Sequence, residues 1–154
     1  MFDNPELIKN ADLPQSDTGS PMPFKMNGEH SLFLIYRIQD AESQYAVLSF
    51  DHCYAQKFGP PNDETIEGHN LYKYGLQPYD SFKVKNSPWI KDLKKINKVH
   101  PNYDSKKFKQ YNHFIWTFHD STFECIAKNC TYKILEGSIL KVASKVLEEN
   151  VVKV

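Results

Sequence analysis

Alternation of apolar and polar positions begins near Ser31. Leu32, Leu34, Tyr36 and Ile38 fall on one face of an extended segment, while Phe33 and Ile35 make the other face partly apolar, the pattern of a central strand. The polar run Gln39 to Ser43 turns the chain. Tyr45 to Phe50 returns as a second strand, and His52 to Phe58 continues as a third with Tyr54 and Phe58 on one face. Phe82 and Val84 mark a short strand. Ser87-Pro88 is a helix start, with Ser at the N-cap and Pro at the first helical position. Trp89, Leu93 and Ile96 follow at helical spacing, and Pro101 limits the helix near Val99. Asp104 caps one short helical turn through Phe108. Strands are expected at Asn112 to His119, Thr122 to Lys128 and Tyr132 to Leu135. An amphipathic helix from Ser138 to Glu149 closes the chain, with Ile139, Val142, Ala143, Val146 and Leu147 as its buried stripe. These elements predict an α+β fold. It is an antiparallel sheet of about five to seven strands, with an amphipathic central helix and a C-terminal helix packed on it.

Two stretches carry no sustained period. Residues 1–29 hold Pro5, Pro14, Pro21 and Pro23 among scattered polar residues and read as an N-terminal arm, ahead of a single α+β domain over 30–154. The second stretch runs from Gly59 to Tyr79 and contains Gly59-Pro60-Pro61, Asn62-Asp63-Glu64, Gly68-His69 and Gly75. A loop of that length without structure of its own is uncommon in a compact domain and is often functional.

The run NHFIWTFHDSTFECIAK permits a register argument. A turn at Asp120-Ser121, or over His119 to Thr122, places Phe118 opposite Phe123. One face then carries Phe114, Trp116 and Phe118 against Phe123, Cys125 and Ala127, and is core. The other carries His113, Ile115, Thr117 and His119 against Thr122, Glu124, Ile126 and Lys128. Its His119, Glu124 and Thr122 are read as a solvent-facing polar surface or the lining of a pocket. Trp116 and the aromatics beside it make Cys125 a buried, inert thiol.

Composition narrows the function classes. Nineteen basic residues balance nineteen acidic ones, and Arg37 is the only arginine, so the usual fork for guanine edges and phosphates is nearly missing. Residues 83–109 hold nine lysines against two acids, and Lys91, Lys94, Lys95 and Lys98 form a stripe on the central helix. This is read as a solvated face with weak, salt-sensitive attraction for polyanions, and nucleic acid is not the expected partner. Cys53, Cys125 and Cys130 form no CxxC and no disulfide framework, which points to reduced thiols and a cytoplasmic protein. There is no secretory h-region at the N-terminus and no apolar run of membrane-spanning length. GxGxxG, GxxxxGK[ST], HExxH and GxSxG are all absent.

The candidate residues therefore lie in the long loop and on the polar hairpin face: Asp63, Glu64, His69, Tyr72, His119 and Glu124. Asp63, Glu64 and His69 bring oxygen and nitrogen donors, but their spacing matches no metal cage, so no metal and no cofactor are assigned. Tyr72, Tyr74 and Tyr79 offer rings for stacking or for packing the loop onto the sheet.

FGPPNDE (Phe58 to Glu64), GHNLYKYGL (Gly68 to Leu76) and FHDSTFECIA (Phe118 to Ala127) together resemble a family of uncharacterised bacterial domains. The resemblance implies no activity and no catalytic residue, and Asn70 stands where it implies Pro. The expected function is a non-enzymatic binding or protein-interaction domain that uses the 59–79 loop and the adjacent sheet face, with an unknown protein or small molecule as partner. The alternative is a small metal-assisted or acid/base enzyme with His69, His119 and Glu124 at its site.

Overall fold

The computed structural model describes residues 3–19, 23–28 and 30–151. The ends of the expected 30–154 domain and 1–29 arm, residues 152–154 and 1–2, lie outside them, as do the arm's residues 20–22, with Pro21, and 29. The architecture is α+β and mostly sheet. Among the described residues, nine strands form two antiparallel sheets rather than one. The first, in order β1-β6-β7-β8-β5, joins Glu6–Lys9, Ser81–Lys85, Asn112–Thr117, Thr122–Ala127 and Ala55–Gly59. The second, in order β2-β3-β4-β9, joins Phe24–Asn27, Ser31–Arg37, Gln44–Asp51 and Asn129–Glu136.

Burial explains why there are two sheets. Both faces of β3 are apolar, so both must be covered. Leu32, Leu34 and Tyr36 meet Phe114, Trp116, Phe118, Phe123 and Cys125 of the hairpin in the central core between the sheets. Phe33 and Ile35 turn the other way, with Val47, and are covered by Val142, Ala143 and Val146 of α2 (Ile139–Val146). The outer face of the first sheet has its own cover. Phe82, Val84 and Ile115 pack against Ile66, Leu71 and Leu76, all from the long irregular stretch. The molecule thus stacks a helix, two sheets and a loop in four layers.

Several expectations are corrected. The 59–79 stretch is not structureless: it forms short 3-10 helices at Asp63–Gly68 and Tyr72–Tyr74 and supplies core residues. The hairpin turn centres on His119-Asp120, with the Phe118 N–H donating to Ser121 O at 2.8 Å and Trp116, not Phe118, opposite Phe123. This register differs by two residues from the expected one, and a slip of two keeps every side chain on its face. The core face is therefore as expected, but its reverse is no solvent-facing surface, and Thr122 and Glu124 are buried there beneath the loop. Within the expected arm, β1 pairs with β6 and β2 with β3. Strands of four residues are too short to show a period. Helix α1 (Pro88–Asn97) begins at the Ser87 cap as expected, but it rests on the sheet only by its first turns, leaving Ile96 69% exposed. Ile139 of α2 is likewise exposed, because α2 reaches the sheet with its following turn. No helix among the described residues is long and apolar enough to cross a membrane.

If the loop is core, deleting one of its anchors is expensive. Leu71, 1% exposed, should cost about 2–5 kcal/mol on Leu71→Ala. Urea unfolding checks this; a loss under about 0.5 kcal/mol is what an ordinary surface loop would show.

Candidate functional site

The loop is held to the sheet by a chain of polar side chains. Its centre is Glu124 of β8. The Glu124 side chain is only 9% exposed, and Ile66, Leu71 and Leu76 bring the loop down over this face. His69, between the two 3-10 helices, places Nε2 3.0 Å from Glu124 Oε2. His113 of β7, on the same face of the neighbouring strand, places Nε2 2.7 Å from Glu124 Oε1. The other His113 nitrogen, Nδ1, lies 2.7 Å from Ser87 Oγ, which also accepts from the Ile90 N–H at the start of α1. The other His69 nitrogen accepts from the Leu71 N–H at 3.0 Å.

Proton bookkeeping fixes the tautomers. An N–H donates to His69 Nδ1, so that nitrogen is bare and the ring proton sits on Nε2, aimed at Glu124. With the Ser87 hydroxyl donating to His113 Nδ1, His113 also presents Nε2–H to Glu124. One carboxylate then receives two N–H groups, and every ring nitrogen and carboxylate oxygen in the chain has a partner. Burial alone would raise the Glu124 carboxyl. The hydrogen bonds from His113 and His69 outweigh it and hold the group down at about 2. Trp89 closes the assembly, edge-on to His113 at 5.3 Å between ring centroids, and Lys57 lies 4.1 Å over the Trp89 ring.

A second cluster sits at the hairpin turn. Asp63 Oδ2 accepts the Tyr79 hydroxyl proton and lies 3.0 Å from His119 Nδ1. The Tyr79 and His119 rings stack, 12° from parallel. The Tyr79 bond holds the Asp63 carboxyl below its ordinary value, with the charge and hydrogen bond of His119 adding to the effect. The same bond raises the Tyr79 hydroxyl to about 12. Tyr79 adopts φ 57, a left-handed conformation that bulky residues rarely take. Backbone ties fix the loop's start here: Asp63 N–H donates to His119 O at 3.1 Å, and Thr122 Oγ1 donates to Pro61 O at 2.8 Å.

The six sequence candidates therefore divide. His69 and Glu124 meet in the buried chain. Asp63 and His119 meet at the turn. Glu64 and Tyr72 stay exposed on the outside of the loop and join neither cluster. His113 and Ser87, both central to the buried chain, are absent from the candidate set. Ile115 and Ile126 were the available signal: two isoleucines on a supposedly polar face need a cover. Among the described residues no group of three or more His, Cys, Asp or Glu is placed to hold a metal ion. No protein-family model, curated protein or solved structure matches this chain.

Removing His69 leaves a largely buried Glu124 one donor short. His69→Ala should lower stability by about 1–3 kcal/mol, read by urea unfolding at neutral pH. A change within about 0.5 kcal/mol would mark His69 as a surface group. The pH dependence has a definite sign. The folded carboxyl lies below its unfolded value, so the chain stabilises fully above the unfolded value and loses that stability as pH falls toward about 2. Glu124→Gln should flatten the stability curve across this acid range. An unchanged acid limb in the variant contradicts the assignment.

Proposed function

We propose that this chain is a non-enzymatic binding domain of the cytoplasm that engages a protein or small molecule through the outer surface of the 59–79 loop and the adjoining hairpin turn. The supporting observation is that the loop is rigidly mounted. Its apolar anchors, the His69–Glu124 bond and the Asp63 and Thr122 ties hold it independently. A surface ordered in advance has less entropy to lose on binding. Asp63, Glu64 and Asp120 give it acidic character, and exposed Tyr72 adds a ring of the kind enriched at binding surfaces. A cationic partner fits that chemistry best. The three free thiols support a reducing compartment.

The enzymatic reading needs acid and base groups within reach of a substrate proton. His69 and Glu124 spend every polar atom on each other, on His113 and on Leu71. His119 belongs to the other cluster.

A panel of short peptides of graded charge, titrated onto the protein, tests the proposal. Lysine- and arginine-bearing peptides should bind. Joint substitution Glu64→Gln and Tyr72→Ala should weaken them about tenfold, with stability changed by no more than about 0.5 kcal/mol per site. Binding indifferent to both substitutions contradicts this surface. Turnover of simple ester, amide or phosphoester substrates that disappears in Glu124→Gln would favour the enzyme instead.

A further inference from the structure

An edge strand presents a row of backbone N–H and C=O groups with no neighbour. Proteins blunt such edges by keeping them short or by placing charges and prolines there. Three of the four edge strands here are blunted. β1 and β2 are four residues long. β5 is five residues long and runs into Pro60-Pro61. β9 is different. It ends the second sheet with eight residues, NCTYKILE, and contains neither Pro nor Gly. It pairs with β4 along its whole length, and among the described residues no strand lies on its other side.

The side chains of β9 leave this edge open. Lys133, its one lysine, lies opposite Val47 on the face that α2 covers, and it is held there by Glu149 at 2.9 Å. Tyr132 and Ile134 lie opposite Leu48 and Ala46 on the face toward the first sheet. Leu48 and Ala46 are fully buried, whereas Tyr132 is 43% and Ile134 47% exposed. The apolar row of the central core thus runs out onto β9, where about half of each side chain meets solvent.

A second copy of this chain supplies what the edge lacks. The row is apolar, so it complements itself, and antiparallel pairing about a two-fold axis uses it twice. Residues opposite one another in such a pair share a face, so the row formed by Tyr132 and Ile134 in one copy meets the same row in the other. Charge does not oppose the contact. The chain has net charge +0, and β9 carries one Lys and one Glu. A protein near zero net charge has little self-repulsion to overcome on association.

We propose that β9 is the self-association edge of this protein. Two copies pair antiparallel through Asn129–Glu136 and join their four-stranded sheets into one continuous sheet. This edge belongs to the second sheet and the loop surface proposed above to the first, so either can fail without the other.

Sedimentation equilibrium of the full chain across the micromolar range tests this. The mass should rise with concentration from the 17.9 kDa of one chain toward twice that value. Ile134→Lys sets a charge within the apolar row and should weaken the dimer about tenfold or more. Val99→Lys, at an exposed apolar residue just beyond α1, should leave it unchanged. Hydrogen exchange on the unaltered protein gives a reading that needs no variant: β9 amides should slow as concentration rises, while those of β1 and β5 keep their rates. If Ile134→Lys fails to fold, this exchange measurement decides alone. The proposal is overturned by a monomer at every concentration, or by a dimer that a folded Ile134→Lys leaves intact. Equal loss in Val99→Lys, or concentration-dependent protection at another edge in place of β9, overturns it too.

Discussion

The arrangement depends on one buried carboxylate. Glu124 sits in the middle of a sheet, under a loop, where an unpaired charge would be expelled or neutralised. It remains ionised because two histidines donate to it from different parts of the chain: His69 from the loop and His113 from the next strand. Through Ser87, His113 extends the tie to the start of α1. The loop, the first sheet and the helix are thus registered on a single residue. Apolar anchors supply the burial energy of the cover. The carboxylate fixes which way the loop lies, since a shifted loop would leave a largely buried charge short of a donor.

That constraint separates structure from surface. The residues that chemistry would first select, a histidine and a glutamate in contact, are occupied in holding the fold. The residues left for recognition are those around the tie: Tyr72 and Glu64 outside, and the Asp63–Tyr79–His119 cluster at the turn.

Much of this was legible in the residues. Strict alternation in 112–127 assigned the hairpin faces correctly even though the turn itself sat two residues away, because the period of a strand forgives even shifts. Ser87-Pro88 located a helix start to the residue. What stayed hidden were long-range relations. Glu6–Lys9 and Phe24–Asn27 are too short to announce themselves as strands, and only pairing with β6 and β3 defines them. Glu124 and Thr122 look like surface residues until Ile66, Leu71 and Leu76, isolated apolar positions in a turn-rich stretch, are seen to lie over them. One sheet was expected where two form, since local periodicity does not say which strands are neighbours.

The histidine rings carry the most direct test of this account. Long-range ¹⁵N–¹H spectra of the imidazoles at neutral pH distinguish the tautomers. For His69 and His113 the account predicts a single, fixed tautomer, each with its proton on Nε2 and a bare Nδ1. An averaged tautomer mixture at His69 would mean that it does not serve Glu124. The loop would then be held by its apolar anchors alone.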